Sequence, residues 1–501
     1  MMTAPAAVAP MAARACRRVS GERCTRMTVA VLRGRSVSPA GSILWESASD
    51  RGRVEQHESS NGHRLSAGVA RRRITPPTGV FLVGYGDRWR GNRGVHDEVW
   101  ATALFLSDGA SRVAIVSVDL LTVNEVTVDR IRAAVGDIEV LICCTHTHSG
   151  PISYADDRSR RRDRRYVDLL VDRIAAAVRA AARVATPARL EWSEGHADVA
   201  SNRRERTADG RIEIGVNPDG PCDRTVRVLG VRTVDGERRI ATVVGFACHA
   251  TTLGPQNLLV SADWIGSMRD RLEADLGGLV LSVQGAGANI NPLVSWDVPD
   301  QFASAVEVGT RVADAVIASV QAGPAPLAGT PVAFAREDVW IPTLAAAEGT
   351  EPPASYVAPL LSLAGLPAFA APLGEPLLRR RYPWRPTIAA VDDRWAVPLR
   401  VGALRLGGFA LVAFGAETFS EIGTAVIAAS PVPATMFASV TDGSISYLAT
   451  AEAHEEGGYE VDVAPWAYRY PGRLDPSGEQ RAVAAADRLF DRLWNRSSVP
   501  G

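Results

Sequence analysis

The chain is organised around one stretch, Val140-Leu141-Ile142-Cys143-Cys144-Thr145-His146-Thr147-His148-Ser149-Gly150-Pro151. Its first five residues are apolar, as in a short buried strand, and Ser-Gly-Pro then breaks the chain. Because side chains alternate between the faces of an extended segment, His146 and His148 are predicted to point the same way. Two imidazoles at a strand end form half of a metal site. A structural pair of hydrogen-bonded histidines is the competing interpretation.

Two further apolar strands end in the same manner. Residues 243–248 run directly into His249, and the strand at 409–414 is closely followed by Glu417. A hydrolytic zinc site uses about three protein ligands and a water molecule. Three strand ends that each deliver one such ligand therefore favour a metal centre. The alternative is a core histidine with its hydrogen bonds satisfied and a carboxylate that caps a helix.

The composition is that of a globular protein with a sizeable core. The chain has 501 residues, of which 46% are hydrophobic and 22% charged, and its net charge is -1. This balance gives no electrostatic reason to expect nucleic acid or an anionic membrane as a partner. All 55 basic residues are arginine, which excludes a Walker-type phosphate lysine and a Schiff-base lysine. No apolar run reaches the roughly 18 residues of a transmembrane helix.

The six cysteines do not form a recognisable metal or disulfide motif. They are Cys16, Cys24, Cys143, Cys144, Cys222 and Cys248, and none belongs to a Cys-x-x-Cys pair. We therefore expect buried, reduced thiols in place of a zinc ribbon or a disulfide framework.

The pattern along the chain predicts one large α/β catalytic domain, with mixed β-sheets flanked by helices, over residues 65–501. Residues 1–64 are expected to be a leader that is disordered or spurious. They make no convincing signal peptide, so the protein is expected to be either cytoplasmic or secreted. Residues 341–390 are rich in proline and alanine and are predicted to form an irregular insert over the site. The glycine turn at 284–289 lacks a third glycine and a following acidic residue, which disfavours a dinucleotide cofactor.

Hydrophobic periodicity places the main elements. Strands are predicted over 66–70, 80–86, 99–106, 113–121, 140–144, 188–192, 225–231, 240–248, 279–283, 401–406, 409–414 and 435–440. Helices are predicted over 123–135, 166–184, 263–276, 303–320 and 480–495, and Glu417 is followed by a further predicted helix that ends at Ala429.

Several motifs fall in order along the chain. They are Gly94-Val95-His96-Asp97, the Thr145-to-Pro151 stretch, Asn202-Arg203, Cys248-His249-Ala250-Thr251, Ser261-Ala262-Asp263, Gln284-Gly285-Ala286-Gly287, Gly415-Ala416-Glu417 and Ser446-Tyr447. Between about residues 65 and 461 the chain thereby resembles the catalytic domain of the neutral/alkaline non-lysosomal ceramidases. Those enzymes are zinc amidases that cleave the N-acyl bond of ceramide.

The resemblance implies a full set of site residues. Zn2+ would be held by His146, His249, Glu417 and Tyr447. His148 would act as general base and then as acid toward the leaving amine, while Arg203 and Tyr459 would bind the carbonyl oxygen. The implied reaction is attack of a metal-activated water on an N-acyl amide of a ceramide-like sphingoid lipid.

Other interpretations of these residues remain open. Arg203 is alternatively a solvated charge, and Tyr459 a packed aromatic. Asp119 and Asp263 are expected either to orient imidazoles or to cap helices, and His96 is expected to make a structural hydrogen bond.

The chain also departs from the family pattern. In Gly287-Ala288-Asn289-Ile290-Asn291-Pro292, Asn291 stands where the family has a serine, so a serine nucleophile there is excluded. The family's C-terminal immunoglobulin-like domain is not expected in this chain. A metal hydrolase is thus implied more firmly than its lipid substrate. The alternatives are a zinc hydrolase of a small non-lipid amide or ester, and a non-catalytic binding protein that retains the fold. The oligomeric state stays open.

Overall fold

Two large β-sheets, in which most neighbouring strands are antiparallel, form the framework of the protein. The computed structural model describes residues 64–86, 88, 90–156, 159–294, 298–347 and 387–494. The described strands are β1 Ser66–Arg73, β2 Gly94–Val95, β3 Trp100–Ser107, β4 Arg112–Val118, β5 Glu139–Cys144, β6 Thr186–His196, β7 Ala200–Arg206, β8 Ile212–Asn217, β9 Thr225–Thr233, β10 Arg239–Phe246, β11 Leu259–Val260, β12 Leu279–Gln284, β13 Ile290–Pro292, β14 Ala325–Leu327, β15 Val332–Ala346, β16 Ala389–Val391, β17 Arg394–Leu406, β18 Phe409–Phe414, β19 Glu417–Thr418, β20 Ala434–Ala438 and β21 Tyr447–Leu448.

These strands build two large sheets and three small ones. The largest has nine strands in the order β12-β10-β9-β6-β1-β3-β4-β5, with β14 added to β6. The second has five strands, β15-β17-β18-β20 with β16 on β17, and a third contains β13-β7-β8. Three pairs in the two large sheets are parallel: β4 with β5, β10 with β12, and β18 with β20. The carboxyl ends of parallel strands are where α/β folds place their ligands.

The three parallel pairs converge in the core. Ser117 in β4 donates its hydroxyl to the carbonyl of Ser282 in β12 at 2.7 Å, although β12 and β5 are the two ends of the nine-stranded sheet. The chain that leaves β20 joins both ends, since Ser439 N–H donates to the Gln284 carbonyl at 2.7 Å and Cys144 N–H donates to the Val440 carbonyl at 3.3 Å. The ends of β5, β12 and β20 therefore meet in one place.

Amphipathic helices cover the outer faces of the sheets. The described α-helices are α1 Glu125–Val135, α2 Arg161–Arg183, α3 Trp264–Leu276, α4 Gln301–Gln321, α5 Ser420–Ala428, α6 Ala451–Glu456, α7 Ala464–Ala467 and α8 Gly478–Trp494, and a π-helical turn spans Tyr459–Val463. In α2, side chains at the 3.6-residue spacing, such as Leu170, Ile174 and Val178, are fully buried. Each contributes about 1.5–3 kcal/mol through the area it removes from water. None of the described helices is both long and apolar enough to cross a membrane.

The predicted fold class is confirmed, because mixed sheets are flanked by helices in a single large α/β domain. The thiols of Cys143, Cys144 and Cys248 are buried and free, as expected. The predicted strand at 80–86 is wrong, since Phe81 and Leu82 make only isolated bridges. Helix α2 begins at Arg161, five residues before its first predicted apolar position, because its first turn is built of charged residues.

The predicted leader and insert fall largely outside the described residues. Residues 1–63 of the leader and 348–386 of the insert are not described. The ends of the predicted insert are regular, since β15 extends to Ala346 and β16 begins at Ala389. The hairpin of β7 and β8 was not predicted. β7 is dominated by arginine and polar residues, whereas the apolar alternation in β8 is only six residues long and was overlooked.

A buried ion pair fastens α3 to the strand ends. Arg269 contacts Asp119 at 2.8 Å, and their side chains are 6% and 1% exposed. The substitution Asp119→Ala is expected to lower the free energy of unfolding by about 3–5 kcal/mol, because it leaves a buried guanidinium without its charge partner. Denaturation in urea measures this loss.

The matched control is Asp168→Ala. Asp168 contacts Arg130 at 2.7 Å, but its side chain is 63% exposed, so a change of about 0–1 kcal/mol is expected. Equal losses in the two variants would contradict the role assigned to the buried pair.

Candidate metal centre

Each of the three parallel strand pairs delivers one polar side chain to the same point. His146 lies two residues beyond β5, His249 three residues beyond β10, and Glu417 three residues beyond β18. All three side chains are at least 94% buried. Residues far apart in sequence therefore meet in one enclosed pocket.

His146 reaches the pocket by a route different from the predicted one. Strand β5 ends at Cys144, and His146 has a φ of 63°, so the alternation of an extended strand does not apply to it. This left-handed conformation is held by the main chain, because His146 N–H donates to the Leu120 carbonyl at 2.9 Å. The rings of His146 and His148 nevertheless lie edge to face, with centroids 5.1 Å apart.

Backbone carbonyls orient all three imidazoles in the pocket. His146 Nδ1 lies 2.8 Å from the Leu121 carbonyl, and His249 Nδ1 lies 2.7 Å from that of Gly287. His148 Nδ1 is 3.1 Å from the carbonyl of Gly84. A carbonyl only accepts hydrogen bonds, so each neutral ring carries its proton on Nδ1 and presents Nε2 as a lone pair.

The inward-facing atoms fit a cation. The side chains of His146, His148 and His249 each offer a ligand nitrogen, and these nitrogens lie within 4.8 Å of one another. Glu417 Oε2 is 3.3 Å from His146 Nε2 and 3.5 Å from His249 Nε2. Ligands of a tetrahedral zinc lie about 3.3 Å from each other, given metal–ligand bonds of about 2.0–2.1 Å. Among the described residues, His146 Nε2, His148 Nε2 and Glu417 Oε2 have no hydrogen-bond partner although they are buried.

The charges in the pocket also favour a cation. Burial acts to raise the pKa of Glu417, but the imidazoles of His146 and His249 outweigh it and hold that pKa well below its usual value. Burial, followed by the charge of Arg203, lowers the pKa of His249 to about 4. Burial and the two other imidazoles place the pKa of His148 well below its usual value. The pocket thus favours an ionised carboxylate at Glu417 and neutral rings at His148 and His249, the forms that bind metal ions.

Tyr447 lies beside Glu417 through strand pairing. β19 and β21 are parallel, and Glu417 is directly opposite Tyr447, which places their side chains on the same face of the ladder. Burial, and then the Glu417 carboxylate, raise the pKa of Tyr447 well above its usual value.

Arg203 enters the pocket from the three-stranded sheet. Its guanidinium carbon lies 5.4 Å from the centroid of the Tyr447 ring, and its Nη1 is 3.3 Å from His249 Nε2. Burial would lower the pKa of Arg203, but Tyr447 and Glu460 reverse the effect and raise it. Arg203 is therefore a buried, permanently charged group of the site, and its interpretation as a solvated charge is wrong.

Tyr459 lies at the edge of the same pocket. Its ring centroid is 5.8 Å from that of Tyr447, and the residue is 37% exposed. The structure therefore brings together all seven side chains that the resemblance implied. These are His146, His148, Arg203, His249, Glu417, Tyr447 and Tyr459.

The remaining candidates have structural roles. Asp263 is the N-cap of α3 and accepts from Trp264 N–H at 2.8 Å, so the helix-capping interpretation holds for it. Asp119 neither caps a helix nor orients an imidazole, because Arg269 and the N–H of Trp100 occupy its carboxylate. His96 makes the expected structural hydrogen bond, 2.9 Å from Asp97.

Asn291 belongs to the surroundings of the site. Its amide oxygen lies 3.4 Å from Nη1 of Arg203. It supplies a carboxamide where a serine nucleophile would stand.

Three residues near the site escaped the sequence analysis. Glu460 accepts from Nε of Arg203 at 2.9 Å, Tyr468 donates its hydroxyl to Glu417 Oε1 at 3.0 Å, and Gly84 supplies the carbonyl for His148. None of them belongs to a spaced motif. Only the glutamate, which directly follows Tyr459, had a signal in its position.

The N-terminal part of the described chain is similar to known proteins in its sequence. Residues 65–286 match the family model of the neutral/alkaline non-lysosomal ceramidases, N-terminal region. A neutral ceramidase of Mycobacterium tuberculosis is 28% identical over 215 residues, which cover 39% of this chain and 34% of the relative. A neutral ceramidase of Pseudomonas aeruginosa is 24% identical over 256 residues, covering 46% and 38%. The matches thus span about a third of each curated relative.

The fold extends further than the sequence similarity. The crystal structure of the neutral ceramidase from Pseudomonas aeruginosa superposes with a TM-score of 0.66 at 20% identity. The superposition covers 87% of this chain and 76% of that one. At this identity the match establishes the shared fold.

The position of His148 depends on the absence of a side chain at Gly84. A Cβ added there, at a φ of +110°, would lie 2.8 Å from Cγ and Nδ1 of His148. Gly84→Ala is therefore expected to displace the His148 ring from the other two imidazoles. A crystal structure of the variant measures the distance between the ring centroids of His146 and His148, which is 5.1 Å in the unmodified protein.

Gly136→Ala is the matched control. Gly136 has a similar φ of +90°, but a Cβ added there meets nothing within 4 Å. It should cost about 1 kcal/mol of stability through backbone strain and leave the pocket unchanged. An undisplaced His148 in Gly84→Ala would contradict the packing argument.

Proposed function

We propose, from the match of residues 65–286 to the neutral/alkaline non-lysosomal ceramidase family model, that the chain is a zinc-dependent amidase that hydrolyses the N-acyl bond of a ceramide-like lipid. One observation carries the metal-dependent part of the proposal. The Nε2 atoms of His146 and His249 lie 3.3 and 3.5 Å from Glu417 Oε2 at the meeting point of three strand ends. Among the described residues, neither His146 Nε2 nor Glu417 Oε2 has a hydrogen-bond partner, although both are buried.

The proposed ligands are His146, His249, Glu417 and Tyr447. Imidazole nitrogen and carboxylate oxygen are common zinc donors. Tyr447 completes the set because its strand pairing places it next to Glu417. The neighbouring Arg203 charge favours the ionised phenol, and a bound cation would favour it further.

A zinc ion bound by these residues would polarise a carbonyl group and lower the pKa of a bound water. His148 is suited to accept a proton from that water, because Nδ1 is engaged by Gly84 and Nε2 is left without a partner. The ring is half-buried and its nitrogen lies within 4.8 Å of the other two imidazole nitrogens. The same Nε2 can then return the proton to the departing amine.

Arg203 and Tyr459 are proposed to bind the carbonyl oxygen. Among the described residues, Nη2 of Arg203 has no hydrogen-bond partner although it is buried. Negative charge that develops on the oxygen would be stabilised by this fixed cation and by the phenol hydroxyl of Tyr459 at the edge of the pocket. Glu460 holds Nε of Arg203 in place before any substrate binds, so little reorganisation is needed.

The lipid substrate is supported by the family and by the two curated relatives that are named neutral ceramidases. An acyl chain needs an apolar groove. Residues 355–374, the apolar part of the predicted insert, lie outside the described residues. The proposal therefore separates into a metal-dependent reaction and a lipid specificity, which need separate tests.

Removing a proposed ligand should abolish both metal binding and hydrolysis. His146→Ala and Glu417→Ala are each expected to lose zinc, measured by metal analysis of the purified protein. They should also lose hydrolysis of a short-chain N-acyl sphingosine, because each variant removes one of the few donors in the pocket.

The matched controls are His196→Ala and Glu452→Ala, which change exposed residues of β6 and α6. Both should keep their zinc and their activity. Full activity in protein stripped of metal would reject the proposed function.

Lipid specificity is tested by the length of the acyl chain. In a series of N-acyl sphingosines with increasing acyl length, kcat/KM of the intact chain is expected to rise, because each buried methylene adds binding free energy of about 0.8 kcal/mol. A flat profile would contradict the lipid substrate and favour the alternative of a small amide or ester.

A further inference from the structure

The two oxygens of Glu417 have different surroundings. Oε2 faces His146 and His249 and has no hydrogen-bond partner among the described residues. Oε1 accepts a hydrogen bond of 3.0 Å from the hydroxyl of Tyr468. One carboxylate oxygen therefore faces the pocket, and the other is engaged in a hydrogen bond with Tyr468.

The chain holds Tyr468 in this position from both sides. Tyr468 follows α7, and its N–H donates to the Ala464 carbonyl at 3.0 Å. The next two residues form a tight turn after the helix. Tyr470 N–H donates to the Pro465 carbonyl at 2.9 Å, and Arg469 has a left-handed φ of 63°. The half-buried Tyr468 ring packs against the same hydrophobic core as β18. Its hydroxyl thus approaches Glu417 from a preorganised turn.

We propose that Tyr468 is a positioning residue for Glu417, which restricts the carboxylate to one oxygen toward the metal ion. The inference rests on the proposed function, because it requires that the pocket binds zinc. A hydrogen bond from a phenol to an ionised carboxylate is stronger than one between neutral groups, so it competes effectively with coordination through Oε1. Outer hydrogen bonds of this kind orient ligands and raise metal affinity.

The restriction also suits the ion. Zinc in protein sites is usually four-coordinate, whereas calcium takes six to eight oxygens and often a bidentate carboxylate. With Oε1 withdrawn by Tyr468, Glu417 offers a single donor. The hydroxyl would therefore hold the protein donors at four, namely two histidines, one carboxylate oxygen and one phenol oxygen, and leave a further position for the water of the proposed reaction.

Tyr470 supplies the matched control. Its ring is buried, 1% exposed, with its centroid 6.1 Å from that of Tyr468. Unlike Tyr468, it makes no hydrogen bond to Glu417. Replacing either tyrosine by phenylalanine removes one hydroxyl from the same segment, so the two variants differ only in whether the hydrogen bond to Glu417 is lost.

The first test measures zinc affinity by competition with a chromogenic chelator, using the full chain. Tyr468→Phe is expected to bind zinc about 10- to 100-fold more weakly than the unmodified protein, and Tyr470→Phe is expected to bind it normally. Thermal unfolding of both metal-free variants checks that they are equally folded. Equal zinc affinities in the two variants would overturn the inference.

A second measurement needs no variant. X-ray absorption at the zinc edge, or a crystal structure of the zinc-loaded protein, should show one Glu417 oxygen bound to the metal. Coordination through both oxygens would overturn the role of Tyr468 and leave the proposed function intact. Failure of the unmodified protein to bind zinc would reject both.

Discussion

The site depends on the three hydrogen bonds that fix the outward nitrogens of its imidazoles. The Nδ1 atoms of His146, His148 and His249 each contact a main-chain carbonyl. Their Nε2 atoms therefore point into the pocket. The carbonyls belong to loops held by the sheets, so a ring cannot rotate without losing its hydrogen bond to the main chain. A buried set of lone pairs and one carboxylate is unfavourable by itself. A cation is the simplest partner that would satisfy all of them.

The topology makes this convergence possible. The nine-stranded sheet brings its two ends together, so that β5 and β12 meet beside β20 of the second sheet. Each parallel pair then points its carboxyl end at the pocket. This arrangement requires unusual backbone conformations where the strands end, with positive φ at His146, Val440, Asp442 and Ser446. Such strain persists only where the surrounding structure over-determines it, and it commonly clusters at functional sites.

The sequence predicted the strands that end at the site, because β5, β10 and β18 are apolar runs followed by a single polar ligand. It also placed most helices, since their buried faces recur at a 3.6-residue period. The geometry of His146 was not predictable from alternation, because its left-handed φ is imposed by loops distant in sequence. Tyr468 carries no local signal, and the only signal for Glu460 is its position directly after Tyr459. Their importance comes from what they contact in three dimensions, namely Glu417 and Arg203.

The separation of the ligands along the chain has a consequence for folding. His146 and Glu417 lie about 270 residues apart in the sequence, yet their side-chain atoms approach to 3.3 Å. An ion shared between them would behave as a reversible cross-link that closes a very long loop, and the entropy of such closure grows with loop length. The N- and C-terminal portions of the domain would then be tied together chemically as well as by packing.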